Sequence, residues 1–351
     1  MPKSTLTTGF SVYLTSFDSQ KEMLERSAGS GAYVFLSLHI SEEFGPDYCA
    51  KAETVCRFLR DRGYRAIADV SRKTMQQFGE TDLAALARRL GVWGLRVDYG
   101  LTDEEICALA AQLPVVLNAS TATPESAAKI AAAGETVMAM HNFYPRPETG
   151  LDDAFFRAST LPLREQGLKV LTFIPGDETL RGPLKLGLPT LERHRDLPPS
   201  ACLADFAVNF EVDGVFVGDI SVSAREQERM RVFSEERLIQ LPAELGAAYE
   251  FLYGQVFTCR ADSPAWLVRF AESREYSTIG EPVPPANCAP RVRGTVTLDN
   301  ADYGRYSGEI QLTRQDLPAD GRVNVIGRIP EPYLLLADCI GNGSKFMLTR
   351  D

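Results

Sequence analysis

The chain is poor in positive charge: 37 Lys and Arg face 47 Asp and Glu, a net charge of -10 over 351 residues. Such a surface has no general attraction for nucleic acid or anionic lipid, so neither is an expected partner. Long hydrophobic runs are missing too. No window reaches the roughly 18 apolar residues of a membrane span. The opening MPKSTLTTGFSVYL holds one Lys and no apolar stretch before a cleavage-like site, so a cytoplasmic location is expected. The seven cysteines include no Cys-x-x-Cys pair and are odd in number, which fits reduced thiols and argues against a disulfide framework or a zinc site. Histidine is scarce. His39, His141 and His194 are the only ones, and none shows the i, i+4 spacing of a helical metal site, so no metal and no cofactor are expected. There is no internal repeat and no low-complexity tract.

What is present is a core-forming composition, 44% hydrophobic and 24% charged, of a length that suits two domains. Eight apolar runs of strand length recur: residues 9–14, 33–40, 65–70, 94–98, 114–120, 137–144, 169–176 and 214–219. Segments with helical periodicity separate them, and several of these end on Gly. Eight strands apolar on both faces and alternating with helices predict a parallel sheet closed into a (β/α)8 TIM-type barrel. A doubly wound open sheet is the runner-up. It would carry a Gly-rich loop after the first strand, where this chain reads TSFDSQKE. Beyond about residue 250 prolines punctuate short strand-like segments, RVRGTVTL, GRYSGEIQLT, RVNVIGRI and SKFMLTR, which predict a small all-β module. The expected division is a barrel over 1–240 and a β-domain over 241–351.

Barrel active sites stand at the carboxyl ends of the strands, so those residues are the candidates. They are Ser11 and Tyr13, Ser37 and His39, Asp69, Arg96 and Asp98, Asn118 and Ser120, His141 and Asn142, Asp177, and Asp219. Any one Asp, Asn or Ser here is most simply a strand terminator or helix cap. Four Asp at four strand ends shift the balance toward chemistry. Period-two alternation groups Arg96 with Asp98, and Val215 and Val217 with Asp219, as inward columns ending in carboxylates. Arg96 inside a barrel strand calls for a partner such as Asp69 or Asp98. His194, in LERHRD, reads as a surface or capping residue. Two loops join Arg with carboxylates in a Pro and Gly frame: HNFYPRPETG, with Arg146 and Glu148, and FIPGDETLRGPL, with Arg181. Both suit sugar or phosphate recognition, and the second follows strand seven, where barrels often bind phosphate.

The segments SVYL, FLSLHISEE, GLRVDYG, LNAST, HNFYPRPETGL, FIPGD with RGPLKLGLPTLERHR, DGVFVGD, LDNADYGRYSGEIQ and VNVIGRI together resemble the 6-phospho-N-acetylmuramidases of glycoside hydrolase family 170. The resemblance runs from about residue 9 to residue 348. It implies a barrel followed by a cyclophilin-like β-domain. It also implies cytoplasmic hydrolysis of a MurNAc-6-phosphate to GlcNAc disaccharide in peptidoglycan recycling, so the expected partner is a small phosphorylated amino sugar. The oligomeric state, a homo-oligomer included, stays open. Glycoside cleavage uses two carboxyl groups, and Asp69 with Asp98, at neighbouring strand ends, is the first choice, ahead of Asp177 and Asp219. A substrate-assisted course through the 2-acetamido group is the other route. Arg305 and Tyr306, in the Asn300 to Tyr306 turn, are expected to help close the site. The competing readings are a barrel isomerase or aldolase acting on a sugar phosphate, against which no strand end carries a Lys, and a sugar-phosphate-binding protein without catalysis.

Overall fold

The computed structural model describes residues 6–28, 32–38, 45–97, 100–273 and 280–350. His39 and Asp98 lie outside the described residues. The chain divides into two compact units, Met1–Pro199 with Phe210–Glu226, and Ser200–Asn209 with Gln227–Asp351.

The first unit holds eight parallel strands: β1 (Thr7–Val12), β2 (Tyr33–Ser37), β3 (Arg65–Val70), β4 (Gly94–Val97), β5 (Val115–Asn118), β6 (Val137–Met140), β7 (Lys169–Ile174) and β8 (Gly214–Val217). Each pairs with the next in sequence, and β1 pairs with β8 to close the barrel, as the eight-fold alternation predicts. Helices follow the strands, and side-chain caps set their starts. Thr102 and Glu105 form a capping box, while Asp82, Thr123 and Asp152 each accept a backbone N–H of the first turn. Two helices stop on left-handed glycines, Gly79 and Gly91, consistent with the Gly endings of the sequence.

The barrel interior is a packed core. Phe35, Ile67, Val116, Met138, Met140, Leu171, Phe173 and Phe216 meet there, one or two from each of six strands. This set fixes which face of each strand looks inward. On β8 the inward residue is Phe216, so Val215, Val217 and Asp219 do not form the inward column that alternation alone suggested. The glycine-rich start and end of β8 gave no apolar side chain to reveal the parity.

The second unit is mostly strands: β9 (Leu238–Pro242), β10 (Glu244–Leu245), β11 (Val256–Thr258), β12 (Leu267–Arg269), β13 (Thr295–Asp299), β14 (Ile310–Thr313), β15 (Val323–Arg328) and β16 (Lys345–Thr349). They form a five-stranded sheet in the order β10-β15-β13-β14-β12 and a three-stranded sheet β11-β16-β9. Phe257, Phe270 and Phe346 pack ring to ring in its core. The last four strands coincide with the four segments read from sequence. Among the described residues no helix is long and apolar enough to cross a membrane, and all seven thiols are free.

Candidate active site

Two residues beyond the core layer, the inward faces of the barrel turn polar. Ser37, Asp69 and Arg96 lie side by side on β2, β3 and β4 in direct register. Asp69 and Arg96 are nearly sealed from solvent, at 2% and 3% exposure. The Arg96 guanidinium donates through Nη1 to Asp69 Oδ1 at 3.0 Å and through Nη2 to Asn142 Oδ1. Asp69 is therefore the partner that a buried Arg96 demanded. An ion pair removed from water is sustained only by such close, charge-assisted bonds. Ser11 joins the same face, since a Cβ at Gly9, two residues earlier, would meet the Phe216 ring. Its hydroxyl is buried and has no hydrogen-bond partner. Asn118 stands at the end of β5, where its Oδ1 accepts the Ser120 backbone N–H at 2.9 Å.

His141 faces the other way. With Met138 and Met140 inward, parity sends His141 outward beneath the helix Asp153–Glu165. There Nε2 lies 2.9 Å from Thr160 Oγ1 and the ring packs 4.6 Å from Phe156. It is fully buried on the outward face, away from the inward polar residues among which the strand-end reading placed it. Burial, helped by the Arg96 charge, pushes its imidazole down to about 3. Its neighbour Asn142 is the residue that reaches the polar cluster. His194 is fully buried as well, not on the surface.

The loops after β7 and β8 are locked together by carboxylates. Asp219 is fully buried and accepts three backbone N–H groups, from Gly176 (2.9 Å), Arg181 (2.9 Å) and Leu188 (3.0 Å). Burial raises its carboxyl above the usual range, against the pull of those donors and of nearby Arg181. Asp177 is exposed and bound to the backbone and hydroxyl of Ser223. These two Asp thus hold loops, and their oxygens are engaged away from the Asp69 cluster. Tyr13 is buried, donates to the Gly218 carbonyl, and packs with Leu188 and Ile220. The Arg181 guanidinium lies over its ring, 4.4 Å from the centroid.

The loop after β6 is held differently. Glu192 accepts the N–H groups of Glu148 and Gly150, both at 2.8 Å, and pairs with Arg195 at 2.7 Å. Arg195 also donates to the carbonyls of Tyr144, Gly187 and Leu186. The Arg195 guanidinium, first among the causes, brings Glu192 down to about 2. In the sequence this clip shows only as the i, i+3 spacing of Glu192 and Arg195. Arg146 and Glu148 point outward, 70% and 83% exposed, at 4.0 Å from each other.

In the second unit, Arg305 and Tyr306 end a short helical turn, Ala301–Tyr306, where Arg305 donates to the Tyr306 hydroxyl. Asn300 is buried and caps that turn. One feature of this unit had no sequence signal. Asp299 and Glu309 are both buried at neighbouring positions of the β13–β14 pairing, Glu309 bound to Arg269 at 2.6 Å. Among the described residues no three His, Cys, Asp or Glu side chains group as metal ligands.

A barrel with a buried carboxylate, a guanidinium and an amide at its strand ends suits glycoside chemistry, and comparison with known proteins supplies the family. The profile described as 6-phospho-N-acetylmuramidase, N-terminal, matches residues 8–232, and its C-terminal counterpart matches 239–349. The chain belongs to the 6-phospho-N-acetylmuramidase family. Membership supports a glycoside hydrolase role. A crystal structure of a conserved Enterococcus faecalis protein of unknown function has a TM-score of 0.86 and 32% identity, covering 98% of this chain and 96% of that one. A structure of an uncharacterized B. cereus protein gives a TM-score of 0.78 at 23% identity, over 98% of this chain and 99% of that one. The latter speaks for the fold alone. No curated protein matched the chain.

Proposed function

We propose that this member of the 6-phospho-N-acetylmuramidase family hydrolyses the MurNAc-6-phosphate to GlcNAc disaccharide in the cytoplasm, returning peptidoglycan sugars to metabolism. The observation that carries the reading is the Asp69–Arg96–Asn142 cluster at the strand ends of the barrel. Glycoside cleavage requires one carboxyl group to protonate the leaving oxygen and a second, ionised one to serve the anomeric centre. Asp69, held by the Arg96 guanidinium, takes the ionised role, toward the anomeric carbon or toward the 2-acetamido group that attacks it. Asn142, on the far side of Arg96, offers an amide to the sugar. Asp98, two residues after Arg96 in sequence, is proposed as the second carboxyl on sequence grounds. The test is incubation with the phosphorylated and unphosphorylated disaccharides. Release of GlcNAc from the phosphorylated one is expected, and its absence with folded protein would reject the reading.

A further inference from the structure

We infer that Arg181 is the residue that grips the substrate's phosphate monoester, with Tyr13 and Asp219 as the residues that position it. The inference rests on the phospho-sugar reading above and deepens it. Two loop arginines were candidates, and the structure separates them. Arg146 is 70% exposed beside Glu148, so an anion there would compete with a carboxylate and with water. Arg181 is half-buried, and among the described residues no carboxylate lies within ion-pair distance of its guanidinium and no acceptor takes its side-chain N–H groups. A partly desolvated guanidinium without an anion holds unspent donors in the planar fork that fits a phosphate.

Its placement is built by neighbouring side chains. The Tyr13 ring supports the guanidinium, 4.4 Å from the ring centroid. Tyr13 is itself fixed through its hydroxyl to the Gly218 carbonyl. Asp219 holds the Arg181 backbone at 2.9 Å and ties the same loop at Gly176 and Leu188, so the arginine arises from a pinned segment. Both Asp219 oxygens are occupied by these backbone groups. No hydrogen bond or ion pair joins it to the Arg181 guanidinium among the described residues, although the two charges are near enough to act on each other. The location, where the β7 and β8 loops meet, is where barrels of this kind commonly hold phosphate.

The test is calorimetric titration of the full chain with N-acetylmuramic acid 6-phosphate and with N-acetylmuramic acid, beside kcat/KM for the two disaccharides. Wild type should prefer the phosphorylated forms. Arg181→Ala should lose about 10- to 100-fold of that preference, and Arg181→Lys should recover only part, because an ammonium cannot pair bidentately. Asp219→Asn should lower the preference and raise KM more than it lowers kcat, a split that general loss of fold does not produce. Full wild-type preference in Arg181→Ala, or its loss in Arg146→Ala instead, would overturn the assignment. A wild type that cleaves the disaccharides but ignores the phosphate would overturn the phospho-sugar reading itself.

Discussion

Arg96 and Asp69 form an ion pair of 3.0 Å across two adjacent barrel strands, and both side chains are at most 4% exposed. A solvated strand-end carboxylate exchanged for its amide should leave stability nearly unchanged, which is what position in sequence alone suggests for Asp69→Asn. The burial changes that expectation. Removing the charge leaves Arg96 without its counter-ion in a sealed place, a loss of about 3 kcal/mol. We predict that Asp69→Asn lowers melting by several degrees and lowers kcat/KM by about 10²- to 10⁴-fold while the protein is still folded. Circular dichroism at the assay temperature separates the two effects. Near-wild-type turnover in a folded Asp69→Asn protein would remove Asp69 from the mechanism.

The barrel was legible because its signal is redundant: eight strands with period and length to spare, so an error at one does not hide the closure. Side-chain direction was not. On β4 and β6, Arg96 and Asn142 could be placed at the strand ends, but whether His141 or Asn142 faces inward depends on a single residue of parity at the edge of a four-residue strand. The direction of Asp219 is hidden for the same reason, since Gly214 and Gly218 flank Phe216 and leave no apolar alternation to count. The Glu192–Arg195 clip shows locally only as an i, i+3 pair; the loop it ties at Glu148 and Gly150, like the Asp299–Glu309 neighbours, is joined through tertiary contacts that leave no pattern in the local sequence.

Asp299 should make the second unit less stable in mild alkali. Burial, aided by Glu309 and opposed by the Gln311 amide and by Arg291 and Arg269, raises its carboxyl from the ordinary 3.8 to about 7. The folded state then holds this proton more tightly than the unfolded state does. Its contribution is complete below pH 3.8 and is lost as pH rises through about 7. We predict that Asp299→Asn melts above wild type at pH 8, with the difference vanishing near pH 4. Parallel melting curves for the two proteins across that range would refute the raised carboxyl.

Arg195→Lys tests the clip on the β6 loop. The guanidinium, 8% exposed, serves Glu192 and the carbonyls of Tyr144, Gly187 and Leu186 at once. An ammonium has neither the reach nor the fork to replace it. We predict a loss of about 1–3 kcal/mol in stability and a rise in KM larger than the fall in kcat, because two rim loops loosen while Asp69 is untouched. Chemical denaturation and steady-state kinetics measure the two. Unchanged values for both would show that the loops are held without it.

Gly218→Ala probes how closely the β8 loop must approach the β7 loop. A Cβ at residue 218 would stand 2.6 Å from the Leu188 carbonyl oxygen and 2.7 Å from Leu188 Cβ. The oxygen is backbone, so relief requires the loop itself to shift. That shift would strain the Leu188 N–H bond to Asp219 and the bond from the Tyr13 hydroxyl to the Gly218 carbonyl. Overpacking of this kind costs about 1–3 kcal/mol. Because Asp219 and Tyr13 both act on Arg181, the variant should also lose part of its preference for the phosphorylated disaccharide. Gly321→Ala provides the contrast: no atom lies within 4 Å of its Cβ position, and a glycine in open space with an ordinary backbone is stabilised slightly or not at all by the added methyl. We therefore expect the melting temperature and phosphate preference to fall together in Gly218→Ala and to hold in Gly321→Ala. A Gly218→Ala protein with wild-type melting and wild-type preference would mean that the two loops do not need this close approach to hold Arg181 in place.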